Sequence, residues 1–316
     1  MNNETREKMT DRLVGKQVKR KVTKEVPQPK TLPELAEERR RERALEKVAP
    51  NTGYETLDRY IKGWIPGHLY VLTGETNAGK TAAACNFSHR VAKQNKKVLY
   101  FALEPDVGVI EYMASIYHRK TWDKIEDKDL DIKLPQMTVY TKETHSTLDQ
   151  LLATIESMDR QDLVIIDHIG YFTNNPSDKR SQVQQESDAI KRIIGTAKKK
   201  KSAIMIIAHP RKGSGKNKNN DPLMMNDISG SAAFKQDATD IIILHKQKLE
   251  SDKFGLTDSP DGFLLLPKVK TGLTGSVKIR FIRNSAVMLD ESEINKIDGV
   301  SRHNQDALDI FSGVAR

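Results

Sequence analysis

The sequence predicts an α/β fold: a mainly parallel, twisted sheet with helices on both faces and an antiparallel C-terminal edge. Three observations predict it. Between residues 69 and 208, apolar runs of strand length alternate with segments of helical period, the pattern of successive βα units. The first run leads into Gly74-Glu75-Thr76-Asn77-Ala78-Gly79-Lys80-Thr81, and an alanine-rich helical stretch follows at once. Beyond residue 239 helical punctuation thins, and short apolar runs succeed one another through turns.

The octapeptide fits G-x-x-x-x-G-K-S/T, the loop that wraps nucleotide phosphates. Gly74 and Gly79 let the backbone turn tightly enough to aim successive N–H groups at phosphate oxygens. Glu75, Thr76, Asn77 and Ala78 span the turn, Lys80 reaches the β- and γ-phosphates, and the Thr81 hydroxyl can hold Mg²⁺. Residues 69–72 read as a buried strand and residues 81–93 as a helix, so the phosphates meet a helix N-terminus.

A chain of 316 residues and 35.7 kDa is long enough for one core of about 200–270 residues with appendages. Apolar residues make up 37% and charged residues 30%, a composition that points to a soluble protein. No apolar run approaches the ~20 residues of a membrane span, and the N-terminal residues lack the apolar centre of a signal peptide. The one cysteine, Cys85, excludes an intramolecular disulfide and a multi-cysteine zinc site, which points to a reducing cytoplasm. The net charge is +9, of which residues 1–30 carry +5 and residues 31–50 none. The body is therefore only mildly basic, and any nucleic-acid surface must come from local placement.

Taken in order, residues 1–30 form a basic tail expected to be disordered. Its composition suits a solubilising tail and a nucleic-acid or partner contact equally. Thr31-Leu32-Pro33-Glu34 has the form of a capping box and opens a helix expected to run to Val48. Its apolar stripe (Leu32, Leu35, Ala44, Leu45, Val48) is too thin to make a core, so residues 31–50 read as a docking linker helix. A domain over 51–290 follows. It opens with a short helix and turn, and then the phosphate-loop strand. Later strands are expected at 97–103, 137–140, 163–167, 203–208, 239–244, 262–269, 277–282 and 286–289, and helices at 107–119, 148–158 and 183–200. Residues 291–316 read as a C-terminal tail in which 304–316 form at most a short helix.

Three positions at strand ends carry candidate chemistry. Leu163-Val164-Ile165-Ile166-Asp167 closes a buried strand on an acid, where a phosphate-loop protein orients its Mg²⁺ shell. Glu104 closes the strand after the loop; there a carboxylate either polarises the attacking water or serves the helix start that follows, and the residue type leaves both open. His209 ends the strand at 203–208, positioned to sense a γ-phosphate. The segment behind it, Arg211 to Asn220, holds Arg211, Lys212, Lys216 and Lys218, no acid and two glycines. A basic loop there reads as a contact for nucleic-acid phosphates, or as a solvated surface loop.

Together these residues resemble the hexameric replicative DNA helicases of the DnaB type (superfamily 4), most closely the Twinkle and phage primase-helicase branch. The stretch from Thr52 to Gly74 is similar to that family's approach to its phosphate loop. Phe101-Ala102-Leu103-Glu104 resembles the motif ending in the catalytic glutamate, and Ile165-Ile166-Asp167 the metal aspartate. Ile207 to Lys212 is similar to the sensor histidine and the entry to the DNA-binding loop. Ile228 to Ala232 with Gln236 to Asp240 resembles the close of that loop, and Pro267 to Lys270 with Thr274-Gly275 the turn bearing trans-acting cations. The likeness covers residues 51–290.

The resemblance implies a RecA-like P-loop NTPase using ATP and Mg²⁺. It also implies a homo-oligomeric ring of six subunits with ATP at each interface, and single-stranded DNA threaded 5′→3′. The helix within 31–50 would dock on the adjacent subunit, and Lys268 and Lys270 would act on the neighbour's nucleotide. Nothing resembles a primase, zinc-binding or collar domain, so a separate primase or loader is expected, in a bacterial or phage-infected cytoplasm. The family usually carries Lys-x-Arg where this chain has Lys268-Val269-Lys270; a lysine lacks the guanidinium's planar fork. Slower hydrolysis, or service by Arg280 or Arg283, would follow. Two other readings stay open: a RecA- or RadA-like ATPase that binds single strands without unwinding, and a regulatory ATPase of the circadian-clock type that needs no nucleic acid.

Overall fold

The computed structural model describes residues 29–104, 108–145, 147–173, 179–210, 221–228, 231–251 and 255–301. The chain divides into two units between Arg43 and Ala44. Most of the first helix, α1 (Leu32–Lys47), belongs to the first unit, and none of its residues is buried. Half of the expected capping box forms: the Thr31 amide donates to the Glu34 carboxylate at 2.7 Å. The Thr31 hydroxyl donates to the same group at 2.9 Å. Glu37 pairs with Arg40 at 3.0 Å and Arg41 at 3.3 Å. Such exposed pairs contribute only a few tenths of a kcal/mol each.

The second unit is built on a nine-stranded sheet among the described residues, in the order β3-β2-β4-β5-β1-β6-β7-β8-β9. The strands are β1 (Leu69–Gly74), β2 (Val98–Ala102), β3 (Met137–Thr141), β4 (Leu163–Asp167), β5 (Ala203–Ile207), β6 (Asp240–Ser251), β7 (Gly255–Val269), β8 (Gly275–Phe281) and β9 (Met288–Asp290). Strands β1 to β6 run parallel, and β7, β8 and β9 add antiparallel neighbours, which gives the expected C-terminal edge.

Alternation along the strands feeds two cores. Tyr70, Leu72, Tyr100, Ile165 and Met205 face one side, packed with α2 (Glu55–Ile61), α3 (Lys80–Lys93) and Trp64. Leu69, Val71, Phe101, Val164, Ile166 and Ile204 face the other. They meet α5 (Leu148–Ser157) and α7 (Gln182–Lys200) there. With both faces covered, the central strands read as continuous apolar runs, which is why they were legible. Between β2 and α5 runs α4 (Gly108–His118).

The structure adds elements the sequence did not announce. Strands β6 and β7 run well past the expected residues, because their polar continuations pair with each other (Lys248 with Asp258, Ser251 with Gly255). A short α6 (Gly170–Thr173) follows β4, and α8 (Ser231–Asp237) precedes β6. The expected tail 291–316 is corrected at its start: Glu291–Ser301 is a helix, α9, whose Ile294 is buried with Val287 and Leu289. Arg90 of α3 anchors it through Glu293 at 2.8 Å. An acid-rich first turn hid this helix, since its apolar stripe is a single buried residue wide. Residues 302–316 and 1–28 lie outside the described residues.

Candidate nucleotide site

The phosphate loop leaves β1 between β5 and β6 and enters α3. Gly74 is pressed against β6: a Cβ there would stand 2.5 Å from the Leu244 carbonyl oxygen. Gly79 caps α3 at φ 94° and ψ 30°, a left-handed conformation that glycine adopts without strain. Between them the Ala78 amide donates to the Glu75 carbonyl at 3.1 Å, closing a turn. Glu75 is also tied to Lys248 of β6 at 3.0 Å. The Lys80 ammonium donates to the Gly74 and Glu75 carbonyls at 3.2 and 2.9 Å. Burial holds this amine below its ordinary value, against the pull of Glu104 and Asp167.

The strand order sets β2, β4 and β5 side by side, so their C-terminal ends converge beside the loop. Ala102 lies level with Asp167, and Ile166 level with Ile206. The Asp167 carbonyl accepts from the amides of Leu103 at 2.7 Å and Glu104 at 3.1 Å, which fixes the turn carrying Glu104. The Ala208 amide donates to the Leu72 carbonyl at 2.9 Å, which fixes His209 against β1. Lys80, Thr81, Glu104, Asp167 and His209 thereby line one cavity of about 1200 Å³. This is the crevice at the carboxyl ends of a parallel sheet, where such folds bind ligands.

Asp167 is 2% exposed. Its Oδ2 accepts from the Tyr100 hydroxyl at 2.8 Å, while its Oδ1 is buried with no hydrogen-bond partner. Burial pushes the carboxyl up to about 6, and the Tyr100 and Thr81 hydroxyls work against that. An orphaned carboxylate oxygen beside a threonine hydroxyl is the donor set of a hard divalent cation, so the residues fit Mg²⁺. Burial and the nearby Lys80 charge lower the His209 imidazole. Beside it stands His168, with ring centroids 4.3 Å apart. Burial, and then His209, bring His168 down to about 4.

Sequence reasoning missed Tyr100 and His168. Tyr100 had a readable signal: it sits level with Ile165, two residues before Asp167, and alternation puts it on the same sheet face as that acid. His168 had none, being one residue past a strand end.

The remaining candidates lie elsewhere. Lys268 and Lys270 end β7, opposite the start of β6, where Asp240 is level with Tyr70 of β1. The phosphate loop leaves the other end of β1, where Gly74 is level with Leu244. The Lys268 ammonium donates to the Lys235 carbonyl at 2.5 Å, at the end of α8. The Lys270 side chain is exposed, and its amide donates to Asp240 at 2.9 Å. Arg280, one expected substitute, is held by Asp261 at 2.6 Å and Asp298 at 3.1 Å; Arg283 is exposed. Arg211, Lys212, Lys216 and Lys218 lie outside the described residues. The flanking residues are described: Pro210 bridges Ile228, so the segment between them leaves and returns beside His209.

Comparison with known proteins agrees with this geometry. A replicative DNA helicase DnaB of Mycoplasma genitalium is 24% identical over 267 residues, covering 76% of this chain and 56% of that protein. The chain thus spans about half the length of the curated relatives it matches. Among solved structures, a helicase ATPase domain superposes with a TM-score of 0.65 at 17% identity, covering 83% of this chain and 99% of that one. A DnaB-like replicative helicase, studied with its interactions with primase, gives 0.64 at 17% identity, covering 76% of this chain and 63% of that one. Both show the RecA-like ATPase fold. The family model for the DnaB-like helicase C-terminal domain matches residues 50–289, and the chain belongs to that family.

Proposed function

We propose that this chain hydrolyses ATP and uses the cycle to move 5′→3′ along single-stranded DNA as a homohexameric ring, unwinding the duplex ahead. The observation that carries the reading is the convergence of Lys80, Thr81, Glu104, Asp167 and His209 on one cavity at the ends of adjacent strands. The loop amides and the start of α3 bind the phosphates. Lys80 exchanges its two carbonyl partners for phosphate oxygens. Glu104, with its side chain 49% exposed, orients and polarises the attacking water. His209 contacts the γ-phosphate and passes its presence to the basic segment of Arg211, Lys212, Lys216 and Lys218 that follows. Thr81 and Asp167 would hold Mg²⁺, which when bound neutralises phosphate charge and acts as a Lewis acid.

Among the described residues of one chain, no arginine lines the cavity to meet the transition state's charge. Lys268 and Lys270 sit at the opposite end of the strands from their own loop, which supports their acting on a neighbouring subunit. The exposed α1, with Leu32 81% and Leu35 46% exposed, supports a role as the linker that docks on that neighbour. No helix among the described residues is long and apolar enough to cross a membrane. A replicative role places the chain in a bacterial or phage-infected cytoplasm, with priming and loading assigned to separate proteins.

The test is unwinding of a fork with a 5′ single-stranded tail, with Lys80→Ala as control. ATP-dependent strand separation, abolished in the variant, is the expected result. DNA-stimulated hydrolysis without unwinding would transfer the chain to the recombinase-like class. Hydrolysis indifferent to DNA would transfer it to the regulatory class.

A further inference from the structure

Three adjacent strands each deliver one metal-ligating side chain to the same point. Glu104 follows β2, His168 follows β4 and His209 follows β5. One ligand atom from each lies within 4.8 Å of the other two. The His168 Nδ1 stands 4.0 Å from Glu104 Oε2, and it is buried without a hydrogen-bond partner. The two imidazoles meet edge to face, leaving nitrogens directed at a common space. Only a small contraction separates this from coordination: ligands on a tetrahedral metal at about 2.0–2.1 Å stand roughly 3.4 Å apart. Glu104, half-exposed at the rim, has the freedom to supply it.

The chemistry of this cluster differs from that of Thr81 and Asp167. Two neutral nitrogens and one carboxylate form an open three-ligand set of the kind zinc takes, whereas Mg²⁺ prefers oxygen donors and retained waters. We propose that Glu104, His168 and His209 form a second cation site, selective for zinc and similar transition metals. Its occupation engages Glu104 and His209 together. Bound zinc therefore stops hydrolysis while the phosphate loop still accepts nucleotide. The inhibition half rests on the function proposed above; the metal site itself does not.

The experiment titrates the untagged full-length chain with zinc chloride alone, nucleotide-free, by calorimetry, and with Co²⁺ by visible absorption. One zinc per chain is expected, weakened at least about tenfold by His168→Ala and by Glu104→Gln. Thermal melts and binding of a fluorescent ATP analogue verify that each variant is folded. Absence of stoichiometric zinc binding, or binding that both variants leave unchanged, overturns the site. In parallel, phosphate release by the wild-type chain with MgATP is followed as zinc is added. Inhibition that tracks site occupancy, with analogue binding retained, supports the proposal. Zinc bound at this site without effect on hydrolysis overturns the inhibition. A chain that binds zinc as expected but never hydrolyses ATP refutes the proposed function and leaves the metal site standing.

Discussion

Replacing Asp167 by asparagine should stabilise the ligand-free fold, and the size of the gain follows from the site. The carboxyl is 2% exposed and one oxygen has no partner, so its charge is poorly solvated. Burial, first among the causes, raises it from 3.8 to about 6. A group whose folded value lies above its unfolded value contributes stability at low pH and loses it as pH rises through that window. Across two units of pH the loss amounts to about 3 kcal/mol. Asparagine keeps an oxygen for the Tyr100 hydroxyl and carries no charge, so the variant is spared. Denaturant unfolding of both proteins, with chelator present, should therefore give stabilities that diverge from pH 4 to 6 and then run parallel. At pH 7 the difference should raise the variant's midpoint by roughly 6 °C or more, at about 2–4 °C per kcal/mol for a domain of this size. Tyr100→Phe should move the divergence to higher pH, because that hydroxyl lowers the carboxyl. Mg²⁺ with nucleotide should narrow the gap by stabilising only the wild type. Curves that stay parallel from about pH 4 to 7 would refute the claim that Asp167 is held charged at a cost until a cation arrives.

Two further outcomes test the division of labour. Glu104→Gln should leave binding of a fluorescent nucleotide within a few-fold of wild type while phosphate release falls by about 10²–10⁴; equal losses in both would make Glu104 a binding residue. Lys270→Ala removes an exposed side chain, so its stability should change by less than about 0.5 kcal/mol while hydrolysis drops. Mixing it with the Lys80→Ala protein should restore activity, since each subunit then supplies what the other lacks. A mixture as inactive as its components would end the trans-acting reading.

The central sheet was legible because both its faces are covered, so β1, β2, β4 and β5 are written as apolar runs that end on chemistry. Gly74 to Thr81, Glu104, Asp167 and His209 each close or follow such a run, and the crevice assembles by topology once the runs are parallel. What was not legible depends on pairing across the chain. The β6–β7 ribbon is polar, and only strand partnership explains its length. Helix α9 depends on Arg90, 203 residues away from Glu293. Tyr100 belongs to the site only because β2 and β4 share a register. His168 acquires a partner only when β4 and β5 become neighbours.

The register also separates two lysines that the sequence treats alike. Lys268 and Lys270 lie two residues apart, yet Lys268 is engaged through its side chain, donating to the carbonyl of Lys235 near the last turn of α8. A helix C-terminus favours a cation, and moving Lys268 to another subunit's phosphate would forfeit that hydrogen bond, about 1 kcal/mol or more. Lys270, already in solvent, forfeits nothing comparable. On the proposed reading Lys270 is therefore the better candidate for the neighbour's γ-phosphate, and Lys268 is the tether. The tether has a consequence of its own. Helix α8 closes the segment that leaves β5 beside His209 and is pinned at its base by the Pro210–Ile228 bridge. A cation drawn toward the next subunit's nucleotide would pull on β7, and through Lys268 on α8. The DNA-facing segment would then be coupled to the ATP on both sides of it: through His209 within the chain, and through β7 across the interface.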